Sequence, residues 1–227
     1  MLSHIFRTVA ATKIFLMHMS TSATTITLTP SADGDVFNNG ITPPVIDTTD
    51  TVVSTYSSGI AQRDAIFEFD LSSIPDTAPI LGASISFFLF AGGLDSTMHA
   101  IDYPGDGVID LSDHNHAGTT AASLTVPRVT SSQTFSFNYT DVSGIAGALA
   151  GDLYTLRFDV YGTSTFRLAS LEHTTYDPLT LTIEYRSQQQ AVPTPTTLSL
   201  LLAGVIGAWS RHWIQPGWGR GQRQGIS

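Results

Sequence analysis

Between residues 24 and 186 the hydrophobic positions fall on alternate residues, in short runs. Thr24 to Thr29 alternates through Ile26 and Leu28, and Ala65 to Asp70 alternates through Ile66 and its neighbours. Ser84 to Phe90 is rich in aromatic residues. Thr134 to Tyr139 alternates around Phe135 and Phe137, and Leu153 to Val160 around Tyr154, Leu156 and Phe158. Leu179 to Tyr185 closes the series through Leu181 and Ile183. A two-residue period places one set of side chains on one face of an extended strand, and turn residues separate the runs. The pattern therefore predicts half-buried antiparallel strands. Several in one domain predict an all-β fold, an antiparallel β-sandwich of jelly-roll type. One short helix is predicted over 142–149, interrupted by Gly144 and Gly147.

Outside that span the pattern changes. Residues 1–23 place Arg7 and Lys13 beside a short apolar run, 14–17, and end in small residues from Ser20 to Ala23. This order reads as a signal peptide, with a misplaced start codon or a disordered leader as the alternative. Residues 187–196 turn polar and then proline-punctuated, which suits an extended linker. Residues 197–214 are apolar and uncharged up to Trp209, with Arg211 and His212 behind. The segment predicts a C-terminal hydrophobic helix. It spans a bilayer only with Trp213 and Ile214 included and some local thinning, because spanning takes about 20 residues. Arginine after the run orients the body outside and the tip inside. A buried core helix is the alternative. Residues 215–227 form a basic tail with Arg220 and Arg223.

Charge narrows the function classes. All 19 acidic residues lie between Asp33 and Glu184, where the basic residues are Arg63, Arg128, Arg157 and Arg167, four against nineteen. So acidic a body repels phosphate backbones, which argues against nucleic-acid partners. Lys13 is the only lysine, so the body cannot use a Schiff-base or phosphate-loop lysine. Cysteine is absent, which excludes thiol catalysis, zinc–thiolate sites and disulfides. Serine-hydrolase elbows, His-Glu-x-x-His and phosphate-binding glycine loops are also absent, and no pair of carboxylates is singled out for glycoside cleavage.

The sharpest local motif runs from Asp102 to Asp113. Counted from Asp102, carboxylates fall at positions 1, 5, 9 and 12 (Asp102, Asp106, Asp110, Asp113), with Gly107 at 6 and Val108 at 7. Ca²⁺ takes six to eight oxygens, and an EF-hand-like loop supplies them at such positions, with glycine at the sharp turn and a backbone carbonyl at 7. Pro104 stands at position 3, where a liganding Asp or Asn is usual. The competing reading is an Asp/Gly turn whose side chains cap their own backbone. His114 and His116, two apart, could join Asp113 around a transition metal or could be loop histidines. Glu172 beside His173 could be an acid/base pair or a structural element. Tyr56, Tyr103, Tyr161 and Tyr176 sit in turn-like contexts, where a ring can stack on a sugar or pack at a rim.

Two segments resemble known families. Val192-Pro193-Thr194-Pro195, the apolar run and then Arg211 resemble the PEP-CTERM sorting signal, with Thr194 where that family has Glu. The resemblance implies export in a Gram-negative, exopolysaccharide-making bacterium. It also implies recognition by an exosortase, transient membrane anchoring through the C-terminal segment, and removal of the tail. In the body, the stretch from Arg63 to Pro75 is similar to the opening of DNRLRE-type domains, which are related to carbohydrate-binding modules. The stretch from Phe166 to His173, followed by Pro178 to Tyr185, is similar to their end. That resemblance implies a jelly-roll sandwich without catalytic residues. Together these readings predict an exported cell-envelope or extracellular matrix protein with a structural or adhesive, non-catalytic role. The alternative is a binding module for an extracellular polysaccharide, and a polysaccharide-acting enzyme is the third reading.

Overall fold

A computed structural model describes residues 21–90, 94–161 and 163–188. They form twelve strands: β1 (Thr21–Leu28), β2 (Ala32–Asn38), β3 (Val45–Asp47), β4 (Val52–Ser58), β5 (Ala61–Asp70) and β6 (Ile80–Leu89) come first. β7 (Ser96–Pro104), β8 (Thr119–Val126), β9 (Gln133–Asn138), β10 (Leu153–Tyr161), β11 (Thr165–Ala169) and β12 (Thr180–Gln188) follow. One helix, α1 (Ser143–Ala148), sits where the pattern put it. Two candidate segments lie outside the described residues: most of the leader, and everything from 189 on, with Val192, Pro193, Thr194, Pro195, Arg211 and the hydrophobic segment. No helix among the described residues is long and apolar enough to cross a membrane.

Every strand pairing is antiparallel. One stretch of the sheet runs β1-β12-β6-β9, and another runs β3-β2-β5-β10-β7-β8. β4 and β11 pair with each other and join the two stretches, β4 to β5 and β11 to β6. The sheet curls until the inner faces of the two stretches meet, so the fold is β-rich and sandwich-like. Alternate residues supply that inner layer. Phe87 of β6 packs on Phe158 of β10 with ring centroids 5.5 Å apart, and Phe67 of β5 packs on Phe158 at 5.9 Å. All three are almost fully buried. Burying each ring is worth about 1.5–3 kcal/mol, and truncation to alanine costs about 3–5 kcal/mol.

Two strands escape the alternation rule, for identifiable reasons. β2 buries four consecutive residues, with Val36 on an apolar face against Ile66 and Ile109 and the carboxylates Asp33 and Asp35 on the other, so burial does not follow the two-residue period. β8 buries the neighbours Ala121 and Ala122, opposite a register shift in β7 between Ala100 and Ile101. A bulge of this kind breaks the two-residue period. β1 begins at Thr21, three residues before the domain start read from the pattern, and pairs there with Gln188.

Candidate functional site

The segment 105–118 folds over the outer face of the β5-β10-β7 region, and that placement decides what its residues do. Glu68 of β5 is the anchor. Its Oε1 accepts the backbone N–H groups of Asp106 (3.1 Å) and Gly107 (2.9 Å). Gly107 has φ 89°, a conformation open to glycine, which turns its N–H toward that carboxylate. Arg157 of β10 holds the far end, donating through Nη1 to the carbonyls of Asp113 (2.8 Å) and His116 (3.1 Å). Its Nε and Nη2 meet the Asp159 carboxylate at 2.8 and 3.1 Å, a two-pronged pair.

The five residues read as calcium ligands are divided between two faces of β7. Asp102 points inward with Met98 and Ala100, next to α1 and Tyr154, whose hydroxyl lies 3.2 Å from its Oδ2. Burial pushes its carboxyl up to about 6. Tyr103, the next residue, points to the opposite face, and its hydroxyl donates to Asp113 Oδ1 at 3.0 Å. The other oxygen of Asp113 accepts the Asp110 N–H at 2.8 Å. Asp106 accepts from the N–H of Val108 at 3.0 Å, and Asp110 from that of Ser112 at 2.6 Å. These carboxylates cap the turns of their own loop, and Asp102 is separated from them by the sheet. Among the described residues no group of three or more His, Asp or Glu side chains is placed to hold a metal ion.

The two histidines diverge. His114 is buried, with Nδ1 2.7 Å from Asp64 Oδ2 and Nε2 3.2 Å from the Asn38 amide nitrogen. Asn38 Oδ1 already accepts the Gly40 N–H, so its NH₂ faces the imidazole as a donor. Nε2 is therefore the acceptor, and Nδ1–H donates to Asp64. Asp64 is fully buried, and burial pushes its carboxyl up to about 6, with Asp159 adding repulsion and Gln62, His114 and Arg157 opposing. His116 instead stacks on Tyr103, with ring centroids 4.3 Å apart. Tyr103 is buried under the loop and cannot meet a ligand from solution.

Asp33, Glu172 and the loop residues Gly107 to Ile109 line an open depression of about 410 Å³. Asp33 is buried and accepts the Leu171 N–H at 2.7 Å. Glu172 beside it is exposed, and its partner in the acid/base reading, His173, turns away. His173 Nδ1 accepts the N–H groups of Thr175 (3.2 Å) and Tyr176 (3.0 Å), so it shapes the turn that carries Tyr176.

That turn builds the most distinctive surface of the domain. Tyr176 lies flat on Phe88, with centroids 3.9 Å apart and planes within 11°. Phe90 abuts both rings edge-on, at 5.3 Å from Phe88 and 5.7 Å from Tyr176. Phe88 is half-buried, and Tyr176 is 39% exposed. Phe88 covers one face of the Tyr176 ring and the His173 ring lies 5.2 Å away, tilted by 34°, so the exposed part of Tyr176 is what the surface offers to a ligand. Beside the stack is a depression of about 300 Å³ lined by Ser86, Thr134, Thr175, Asp177 and Thr180, among others. The sequence flagged Tyr176 only as one of four tyrosines. Phe88 and Phe90 stood there only as members of the aromatic-rich run from Ser84 to Phe90. Two-residue alternation along β6 was the available signal, since Phe87 and Leu89 face inward and Phe88 outward. Tyr56, another of the four, packs on Phe37 at 6.1 Å. No family model and no curated protein matches this chain.

Proposed function

We propose that this chain is an exported, non-catalytic envelope or matrix protein whose β domain adheres to polysaccharide. The observation that carries this reading is the outward stack of Tyr176 on Phe88, set beside a depression lined by hydroxyl groups. Flat aromatic faces take the apolar faces of sugar rings, and hydroxyls satisfy the sugar's polar edge. Asp106, Asp110 and Asp113 accept backbone N–H groups of their own loop, His114 pairs with Asp64, and His173 accepts two N–H groups of the next turn, which supports structural roles for them. The order of proline motif, apolar run and arginine over 192–211 supports export, handling by an exosortase and a C-terminal membrane segment. The curled antiparallel sheet accords with a jelly roll of the DNRLRE type.

The test is fractionation of a producing strain that carries the full chain or Tyr176→Ala. The parent chain is expected in the envelope and exopolysaccharide fractions, and the variant is expected to be displaced to the culture medium. Retention of both in the cytoplasm refutes export. Equal retention of both in the exopolysaccharide refutes adhesion through the ring stack.

A further inference from the structure

We infer that the outer face of the β1-β12-β6-β9 stretch is a track for a linear, uncharged polysaccharide, held by Tyr176 at one end and seated in a trough over Gly82 at the other. The inference rests on the adhesive reading above and names its ligand class and footprint. The register lays out the track. Going along β6, Gly82 is flanked by Glu184, Ser84 by Thr182 and Asn138, Ser86 by Thr180 and Ser136, and Phe88 by Thr134. Every one of these β6 positions faces outward, because Ile85, Phe87 and Leu89 face the core. Two depressions lie along this one strand. The first, about 310 Å³, is floored by Gly82 to Ser84, and the second, about 300 Å³, is floored by Ser86 to Phe88. From Gly82 to Phe88 an extended strand covers roughly 20 Å. That exceeds one sugar ring, so a ligand filling both depressions is a chain of several residues.

Two features set the ligand's chemistry. Side chains bordering the depressions between the two ends are mainly Ser, Thr and Asn, whose groups both donate and accept, as sugar hydroxyls do. The charged residues lining the depressions are acidic, Glu184 at one end and Asp177 at the other. They stand within a strongly acidic body, so chains bearing uronate or sulfate are repelled and uncharged ones are not. Gly82 marks the closest approach. A glycine inside a strand weakens it and marks a bulge, a tight bend or a place where a ligand or another backbone comes close, and Gly82 pairs with Glu184 next to a bulge. A β-carbon at Gly82 would meet nothing within 4 Å, and its φ is not left-handed, so neither packing nor the adjacent bulge demands glycine.

The experiment uses the full chain and calorimetric titration with cello-, laminari- and manno-oligosaccharides of two to six residues, with polygalacturonate as the charged probe. For at least one neutral series, the dissociation constant is expected to fall about tenfold or more from dimer to hexamer. Gly82→Val fills the trough with a good strand former, so it should leave the melting temperature unchanged or higher and dimer binding intact. It should also remove the gain with chain length. Tyr176→Ala should abolish binding of all lengths. If Tyr176→Ala abolishes binding but length and Gly82→Val have no effect, the track is overturned and the adhesive reading stands. If no neutral series binds, or Tyr176→Ala binds like the parent, both fall. Tighter binding of polygalacturonate overturns the uncharged ligand. A dimer in sedimentation that Gly82→Val disrupts would assign the face to a second copy and overturn the track.

Discussion

Replacing Asp33 with asparagine should stabilise the domain, and by an amount that depends on pH. Asp33 is 4% exposed. Burial raises its carboxyl from 3.8 to about 7; the Leu171 N–H opposes that rise, and nearby Glu172 adds to it. In the unfolded chain the group ionises near 3.8, so between that value and about 7 the folded state keeps a proton that the unfolded state has lost. Stability is therefore highest below the unfolded value and falls as the pH rises through the window. A shift of about three units, at about 1.4 kcal/mol per unit, sets an upper figure of about 4 kcal/mol at pH 8. Asparagine carries no charge, still offers an oxygen to the Leu171 N–H and can donate to Glu172. The expected gain is about 2–4 kcal/mol at pH 8 and under about 1 kcal/mol at pH 4. For a domain of this size, about 2–4 °C of melting temperature accompanies each kcal/mol. Urea denaturation of both proteins at pH 8, 6 and 4 measures this directly. Asp64 and Asp102, both raised to about 6 mainly by burial, give the parent the same sign of pH dependence but cancel in the comparison. An equal gain at pH 8 and pH 4, or a loss at pH 8, refutes the reasoning.

Three further outcomes are expected. Gly144→Ala should destabilise the domain by about 1–3 kcal/mol although alanine favours α1, because its methyl would collide with the Asp102 carboxylate; if the collision is the cause, thermal melts will show part of the loss recovered in the double variant with Asp102→Ala. Asp106→Ala should lower the melting temperature through loss of its cap on Val108, a cost of about 1 kcal/mol. That loss should be the same with and without added Ca²⁺, whereas a loss seen only with Ca²⁺ would support the 102–113 loop as a metal site. Tyr154→Phe removes a hydroxyl bonded to both Asp102 and Tyr139, at a cost of about 1–3 kcal/mol by denaturant titration, and a neutral result would show that water replaces it.

Much of the fold was legible because local pattern and global burial agree in certain strands. β9, β10 and β12 each put large apolar residues on one face and mainly polar ones on the other, β6 does the same apart from the outward Phe88, and a period of two reads the same before and after folding. The short helix over 143–148 was also within reach, since its glycines and alanines mark a small segment between strands. β2 and β7 were not, because their buried carboxylates Asp33 and Asp102 look solvent-facing in a linear chain. Only once β5, α1 and the 169–172 turn close around them are those acids desolvated.

The candidate site divides in the same way. The alternation in Ser84 to Phe90 already implied that Phe88 and Phe87 face opposite ways, but it could not say which face is inner. Nor could spacing show that Asp102 and Asp113 lie on opposite sides of a sheet, since loop spacing counts residues along the chain while coordination depends on convergence in space. Glu68, His173 and Arg157 acquire their roles from partners 38 or 39, 2 or 3, and 41 or 44 residues away. Of these only the His173 contacts are local. By itself the chain determined its strand-forming body, its acidity, its lack of thiols and the order of its terminal segments, because these depend on composition and short-range period. The tertiary structure alone decided which acids cap turns and which aromatic rings meet solvent, because burial and pairing arise only when distant strands come together.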